Sequence, residues 1–356
     1  MIPSIWLPST LPKARRRGLV YFICGNPGCI GFYADFLEAL RGMLDSSEAH
    51  TAYDIYGRNL LGFSDAEHEP FVSGSGRGPW DVGGQVEAVM ADVVARAGGQ
   101  GHPEGEQAQA YDLVILTGHS IAITWIAQVF AAVAEDRMHV GALYFAAFLH
   151  TAVFVSLLIS LLEQFALPPK PDLARQLHDM DRDGNSSVQR GENRSSAEES
   201  DRHAQEDVEE DDDAEAPTET TPLRGGESEW LKSRDGVRQA LHMGISELDC
   251  VGEDGWNEEL WAAATAEDVG PGNDDGHVQT PRFFFFYGKN DGWVADHVRD
   301  EFVRRRMAHG ERGGRTSIVV DEGNLPHAFC TTEHNSWAVA KRVHGWLQEI
   351  EGGVKT

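Results

Sequence analysis

Cysteine is scarce in this chain, and the few cysteines are scattered. Cys24, Cys29, Cys250 and Cys330 are the four cysteines among 356 residues, and they form neither a disulfide framework nor a Cys-x-x-Cys metal motif. A reduced, cytosol-facing setting is the simplest expectation. We predict that the protein uses neither a metal nor a cofactor.

Basic residues are also few. Lys and Arg number 30 against 57 Asp and Glu, which gives a formal net charge of −27. An acidic protein repels a phosphate backbone, and no basic and aromatic surface pattern offsets that charge, so nucleic acid is excluded as a partner. Between Asp179 and Glu229 alone there are 18 acidic residues and 5 arginines, so this stretch carries −13 of the total.

The acidic stretch lacks the apolar residues that a packed core needs. Low hydrophobicity and dense like charge cannot offset the entropy of ordering, so residues from about Pro171 to Gly226 are expected to be disordered. Calcium binding is a minor alternative, since Asp179–Asn185 has carboxylates at alternate positions and a glycine at the sixth. The twelfth position of such a loop requires Glu and is Arg190 here, so we favour a solvated acidic segment.

The N-terminus lacks the order of a secretory signal. Prolines at positions 3, 8 and 12 interrupt its apolar residues, and the basic cluster Lys13–Arg17 follows them. A secretory signal places its charge before a continuous apolar core. We therefore predict no signal peptide.

Apolar runs do alternate with amphipathic segments along most of the chain. The predicted strands are Leu19–Cys24, Thr51–Tyr56, Tyr111–Thr117, Val140–Phe145, Arg282–Tyr287 and Arg315–Val320. The predicted helices are Phe32–Leu44, Gln85–Ala97, Ile121–Ala134 and Trp337–Ile350. This order predicts an α/β protein with a mostly parallel sheet covered by helices on both faces. We favour one large domain with an insertion over two domains.

One strand in the middle of the chain ends abruptly in Gly118-His119-Ser120-Ile121-Ala122. A strand that turns directly into a helix through Gly-x-Ser-x-Gly is the nucleophile elbow, which raises the serine hydroxyl above the sheet edge. The last position here is Ala122, the next smallest residue after glycine. The alternative is a serine that caps an ordinary buried helix.

A serine hydroxyl needs an imidazole to take its proton and a carboxylate to orient that imidazole. Asp291 follows the predicted strand that ends at Tyr287, and His327 follows the strand that ends at Val320. Both therefore fall at the carboxyl edge of the sheet, where parallel sheets place their sites. We predict Ser120 as nucleophile, His327 as base and Asp291 as acid.

Several residues compete for these roles. Asp291 could be a simple turn former, and Asp296 and Asp321 are other candidate acids. His119 lies in the elbow, but its side chain should point away from the Ser120 hydroxyl, so we give it no role as base.

The oxyanion that forms when a serine attacks a carbonyl group needs two backbone donors. Pro27 has no N–H. We therefore predict the N–H groups of Asn26 and Ile121 as the oxyanion hole.

Together these residues resemble the lipid droplet-associated hydrolase family of α/β-hydrolases. The shared motifs are Gly25-Asn-Pro-Gly28 with Phe32-Tyr33, Leu116-Thr-Gly-His-Ser-Ile121, Phe286-Tyr-Gly288 with Asp291 and Trp293, and Leu325-Pro-His-Ala-Phe329. The resemblance implies an α/β-hydrolase fold and a Ser120–Asp291–His327 triad. It also implies hydrolysis of a carboxylic ester of an apolar lipid, of the sterol ester or acylglycerol class, through an acyl-enzyme. The implied partners are that lipid and the cytosol-facing surface of lipid droplets and the endoplasmic reticulum.

The chain departs from the family pattern in three places. The elbow ends in Ala122 instead of Gly, the loop Tyr56–Ser64 lacks the family's histidine, and no room remains before Leu19 for the usual leading strand pair. An alternative function is therefore a hydrolase-fold protein with little or no turnover that organises the droplet or reticulum surface.

The hydrolase core is predicted in two parts, residues 1–148 and 271–356, which a lid insertion separates. The insertion, 149–270, comprises an apolar membrane or droplet segment (149–169), the acidic low-complexity stretch (171–229) and a helical remainder (230–270). The apolar run Leu149–Leu167 has 19 residues, close to the roughly 20 that span a bilayer. Polar residues within it and the proline that follows shorten it, so we favour a segment that lies in the membrane interface or dips into it and returns. A buried lid helix over an acyl pocket is the alternative.

Overall fold

The structure is a computed structural model of the chain. It describes residues 3–11, 14–46, 50–64, 78–100, 110–120, 122, 143–147, 234–250, 282–289, 291, 295–310, 316–323 and 325–353. These residues belong to one unit, formed by residues 1–152 together with 219–356. The predicted apolar segment, the acidic stretch with its calcium alternative, and most of the predicted elbow helix lie outside the described residues.

Seven strands of the described residues form one sheet. They are β1 (Ser4–Leu7), β2 (Arg16–Ile23), β3 (Thr51–Arg58), β4 (Leu113–Gly118), β5 (Leu143–Ala147), β6 (Phe283–Gly288) and β7 (Thr316–Asp321), in the order β1-β3-β2-β4-β5-β6-β7. β1 pairs antiparallel with β3, and every other neighbouring pair is parallel. The prediction of a mostly parallel α/β sheet is confirmed.

The described helices belong to the same unit as the sheet. They are α1 (Ala34–Asp45), α2 (Val82–Ala97), α3 (Arg234–Cys250), α4 (Asp296–Gly310) and α5 (Glu333–Gly353), with short 3-10 turns at Ile30–Tyr33 and Phe329–Thr331. α1 packs against α5, and α2 packs against α3. No helix of the described ranges is long and apolar enough to cross a membrane.

The strand order reverses between β2 and β4. From β2 the chain moves outward to β3, and from β3 it returns past β2 to β4 and continues outward on the other side. Because parallel crossovers are right-handed, this reversal places α1 and α2 on opposite faces of the sheet. It also opens a crevice at the carboxyl ends of β2 and β4, the usual ligand site in such sheets.

β6 shows how the sheet is buried on both faces. Phe284 and Phe286 contact Trp346 of α5, with ring centroids 5.3 and 6.3 Å apart, whereas Phe285 and Tyr287 contact Phe302 of α4 at 5.2 and 6.3 Å. Successive side chains of a strand point to opposite faces, so α5 and α4 cover opposite faces. A continuous apolar run is the sequence that such double burial requires.

Two elements of the structure were not predicted from the sequence. The sequence predicts no leading strand pair before Leu19, and a single strand, β1, lies there and pairs with β3. Four residues are enough because β1 occupies the edge of the sheet. α4 was not predicted, since its few apolar residues do not recur on one side of a helix, and the core instead receives Phe302 from it.

Asp54 is the buried charge that joins β3 to its surroundings. Its carboxylate accepts hydrogen bonds from the Tyr111 hydroxyl (2.7 Å), the Arg17 guanidinium (3.1 Å) and the Ser9 N–H (2.8 Å). Three donors stabilise the buried carboxylate, and its removal leaves those donors without this acceptor. The contact with Ser9 fixes the segment that follows β1.

We expect Asp54→Ala to lower the free energy of unfolding by about 2–3 kcal/mol, because it leaves the Tyr111 hydroxyl and the Arg17 guanidinium without their acceptor. Glu87→Ala, at an exposed position of α2, is the control and should change stability by less than about 0.5 kcal/mol. Urea unfolding followed by tryptophan fluorescence measures both. Equal midpoints for the two variants would contradict the structural role of Asp54.

Candidate active site

Ser120 occupies a strained turn directly after β4. Its φ is 59°, and among the described residues it is the only one other than glycine with a positive φ. An L-residue in the left-handed region costs free energy, and such strain persists where the surrounding structure imposes it. The turn places Ser120 at the crevice between β2 and β4, as the nucleophile elbow requires.

The helix side of this turn accommodates Ala122. The residue is fully buried, and its N–H donates to the His119 carbonyl oxygen at 3.3 Å. The methyl group that distinguishes alanine from glycine therefore fits within the core at this crossing. The structure keeps the turn despite the departure from the family pattern.

The structure brings the three predicted residues into one hydrogen-bonded series. His327 Nε2 lies 3.2 Å from Ser120 Oγ, and His327 Nδ1 lies 2.8 Å from Asp291 Oδ2. All three side chains are largely shielded from solvent. A carboxylate at Nδ1 holds the proton there and leaves Nε2 to accept the serine proton.

The competing acids lie elsewhere. The Asp296 side chain is 75% exposed and pairs with Arg299 at 3.0 Å, and Asp321 ends β7 opposite Gly288. Of the three candidate acids, Asp291 is the one whose carboxylate is hydrogen-bonded to His327.

Two glycines allow the loops of the site to approach each other. A Cβ at Gly288 would lie 2.6 Å from the Leu325 carbonyl oxygen, so the loop that carries Asp291 passes directly against the loop that carries His327. A Cβ at Gly25 would lie 2.9 Å from the Ser120 Cβ. Glycine at these positions therefore sets the acid beside the base and the β2 loop beside the nucleophile.

Of the two predicted oxyanion donors, Asn26 lies within the described residues. Asn26 follows Gly25 in the loop that touches Ser120, and its side chain donates from Nδ2 to the Ala240 carbonyl oxygen of α3 at 3.2 Å. Ile121, the second predicted donor, lies outside the described residues. α3 therefore anchors the loop that we assigned to the oxyanion hole.

Other nucleophiles near the site are protonated. Burial raises the pKa of the Cys24 thiol well above its usual value and raises that of Cys330 to about 12. A neutral thiol is a weak nucleophile. Within the described residues, no group of three or more His, Cys, Asp or Glu is placed to hold a metal ion.

Sequence reasoning missed Glu247, a buried acid on α3. The side chain is 7% exposed, and burial raises the pKa of its carboxyl from 4.5 to about 8, although a hydrogen bond with the Asn26 side chain opposes the rise. One carboxyl oxygen, Oε1, has no hydrogen-bond partner among the described residues. No local motif marks this position, because its burial depends on α3 packing over the β2 loop.

Two family models match the chain. The model for "Lipid-droplet associated hydrolase" matches residues 16–165 and 215–330, which is most of the chain. The model for "Vacuolar membrane protease, transmembrane domain" matches residues 116–261 and so overlaps the first. The overlap includes the elbow and residues 149–165 of the apolar run.

Individual proteins are also similar to the chain. A vacuolar membrane protease of Metarhizium robertsii is 50% identical over 105 residues, which are 30% of this chain and 10% of that protein. The chain therefore matches about a tenth of this relative's length. Among solved structures, a haloalkane dehalogenase loop variant from Bradyrhizobium elkanii has a TM-score of 0.46 at 13% identity over 98% of this chain and 94% of its own. A soluble variant of monoglyceride lipase from Saccharomyces cerevisiae has a TM-score of 0.45 at 10% identity over 97% and 91%.

The buried carboxyl of Glu247 makes stability depend on pH. Between its ordinary pKa of 4.5 and its folded pKa of about 8, the unfolded chain is ionised while the folded chain holds the proton. Stability from this group is therefore complete below pH 4.5 and is lost as pH rises, at about 1.4 kcal/mol per pH unit, until the folded group ionises.

We expect Glu247→Gln to be more stable than the wild type by a few kcal/mol at pH 8.5, because glutamine has no charge to bury. The advantage should shrink steadily toward pH 5. Urea unfolding at several pH values measures it, with Glu322→Gln, an exposed carboxylate, as the control. An advantage that does not change with pH would contradict a buried, protonated Glu247.

Proposed function

The chain belongs to the lipid-droplet associated hydrolase family, and from that premise we propose that it is a serine hydrolase that cleaves a carboxylic ester of an apolar lipid. The observation that carries the proposal is the series Ser120–His327–Asp291, with contacts of 3.2 and 2.8 Å, at the carboxyl edge of an α/β-hydrolase sheet. Ser120 is the catalytic nucleophile, His327 the general base and acid, and Asp291 the orienting carboxylate.

The geometry suits acyl transfer in two steps. His327 Nε2 accepts the Ser120 proton as Oγ attacks the ester carbonyl carbon, and Asp291 stabilises the imidazolium that forms. The N–H groups of Asn26 and Ile121 donate hydrogen bonds to the negative oxygen. The tetrahedral intermediate then releases the alcohol with the proton from His327, and water cleaves the acyl-enzyme by the same steps.

Two observations support an apolar lipid as substrate, in the sterol ester or acylglycerol class. The matching family is described as lipid-droplet associated, and the insertion carries the apolar run Leu149–Leu167. A chain that rests on an apolar surface meets esters that are dissolved in that surface. The implied location is the cytosol-facing surface of lipid droplets and the endoplasmic reticulum.

The alternative is a hydrolase-fold protein with little or no turnover that organises such a surface. Ala122 and the altered Tyr56–Ser64 loop favoured this alternative in the sequence. The left-handed Ser120 and the buried Ala122 favour the enzyme, since the elbow geometry is retained.

A vacuolar membrane is a second candidate location, which the transmembrane-domain match over residues 116–261 favours. The family-model match concerns a transmembrane domain, and the match to the Metarhizium robertsii protease covers a tenth of that protein's length, so the two support membrane residence and not peptide hydrolysis. β5 and β6 pair in one sheet on either side of the insertion, so a chain that enters a membrane between them must return to the side it left.

We expect a fluorophosphonate probe to label the wild type and not Ser120→Ala, because only an activated serine hydroxyl attacks such a probe efficiently. In-gel fluorescence of the purified proteins measures labelling. Equal labelling of the two proteins would contradict the assignment of Ser120 as nucleophile.

The acid has a matched control. Asp291→Asn should hydrolyse a short ester such as p-nitrophenyl butyrate about a thousandfold more slowly or worse, because His327 loses its orienting charge. Asp296→Asn, which changes an exposed carboxylate, should keep the wild-type rate. The reverse pattern would identify Asp291 as the wrong acid.

The apolar segment is tested by Val155→Asp combined with Leu158→Asp. If the segment is a surface anchor, two charges oppose its burial in lipid, and a fluorescently tagged protein should leave membranes and droplets for the cytosol while still hydrolysing p-nitrophenyl butyrate. Co-staining of droplets and vacuoles distinguishes the two locations. A double variant that stays on the same membrane would refute the anchor.

A further inference from the structure

The residue before the nucleophile, His119, is buried, and both of its ring nitrogens are engaged. Nδ1 lies 2.9 Å from the Tyr33 hydroxyl oxygen, and Nε2 lies 3.0 Å from the main-chain carbonyl oxygen of His327. The Tyr33 hydroxyl also accepts a hydrogen bond from the Gly25 N–H at 3.2 Å. One side chain of the elbow therefore reaches the loop of the base, and through Tyr33 it reaches the β2 loop.

The directions of these hydrogen bonds follow from the groups themselves. A carbonyl oxygen can only accept, so His119 Nε2 carries the proton that faces His327. In a neutral imidazole Nδ1 is then the acceptor, and the Tyr33 hydroxyl donates to it. Burial raises the pKa of Tyr33 well above its usual value, so the hydroxyl keeps the proton that it donates. Every donor in the series from Gly25 to His327 thus meets an acceptor.

The rings around this series restrict its movement. Phe329 stands edge-on to His119 with centroids 5.1 Å apart, and the His119 and His327 rings lie 4.7 Å apart. Tyr33 in turn packs on Phe22 of β2 at 4.6 Å. Hydrogen bonds within such a buried, aromatic setting are stronger than in water and more costly to leave unmade.

We propose that His119 and Tyr33 are positioning residues. They hold the loop after β7, which carries His327, and the loop after β2, which carries Asn26, in register with Ser120. The role rests on the proposed serine hydrolase function. The predicted oxyanion donor Asn26, the nucleophile and the base come from three separate segments, namely the loop after β2, the turn after β4 and the loop after β7, and strand pairing alone fixes only where each begins. The hydrogen-bonded series from the Gly25 N–H to the His327 carbonyl joins all three beyond the strand ends.

A purely structural role predicts a different effect of mutation on turnover. If His119 and Tyr33 only fill the core, removing their hydrogen bonds lowers stability and leaves the turnover of folded protein unchanged. If they position the base, folded protein turns over more slowly at nearly unchanged KM, since displacement of a reacting group by about 1 Å can cost on the order of a hundredfold in rate.

Tyr33→Phe removes one hydroxyl and keeps the ring. We expect kcat for p-nitrophenyl butyrate to fall about tenfold or more with KM within about twofold, and fluorophosphonate labelling to slow by a similar factor. Tyr21→Phe is the matched control, because it removes a buried hydroxyl that donates to Asp92 at 2.7 Å on α2, away from Ser120. It should lower the melting temperature comparably and leave kcat unchanged.

A second pair of variants separates hydrogen bonding from volume. His119→Gln keeps a donor for the His327 carbonyl and an acceptor for Tyr33, whereas His119→Leu keeps neither. We expect His119→Gln to retain most of the wild-type kcat and His119→Leu to lose about tenfold or more relative to it.

The outcomes separate the two proposals. Wild-type kcat in Tyr33→Phe, or equal kcat in the two His119 variants, would overturn the positioning role while the wild type still labels and turns over. A folded wild type that neither labels nor hydrolyses the ester would overturn the serine hydrolase function, and the positioning role with it.

Discussion

The left-handed backbone at Ser120 is the constraint on which the rest of the site depends. A residue with φ of 59° is unfavourable by itself, so the turn exists only because β4 is held on one side of it and Ala122 is held on the other. β4 is secured between β2 and β5 in the middle of the sheet, and Ala122 is buried at once after the turn. The strain at the nucleophile is therefore offset by burial of its neighbours, and any loss of core packing at β4 acts on the serine directly.

Some of the site could be predicted because its signals are local. Ser120, Asp291 and His327 each follow a strand that its own apolar residues reveal, and parallel strands bring their carboxyl ends to one edge. The structure places the three side chains within hydrogen-bonding distance in the predicted order. The choice of Asp291 over Asp296 depends on the close approach of Gly288 to Leu325, which no local pattern in the sequence shows.

The residues that sequence reasoning missed are those whose surroundings come from distant segments. Glu247 is buried because α3 covers the β2 loop, more than 200 positions away in sequence, as the contact between Asn26 and Ala240 shows. His119 is visible in the sequence as part of the elbow, but its partners Tyr33 and His327 lie 86 and 208 positions away. α4 was missed for a different reason, because Phe302 serves the core from a helix that is otherwise mostly polar.

The position of the insertion explains how one chain can match two families. β5 and β6 are neighbours in the sheet, but 135 residues separate Ala147 from Phe283. Because β5 pairs directly with β6, the sheet is continuous without this stretch. The stretch can therefore gain apolar or acidic segments without moving the three strand ends that carry Ser120, Asp291 and His327. α3 is the exception within the predicted insertion, since its Ala240 carbonyl binds Asn26 and its buried Gln239 makes two hydrogen bonds to the backbone of Trp80. The proposed membrane segment at Leu149–Leu167 and a hydrolase site are therefore compatible in one chain, and α3 is the described part of the predicted insertion that contacts the loop carrying Asn26.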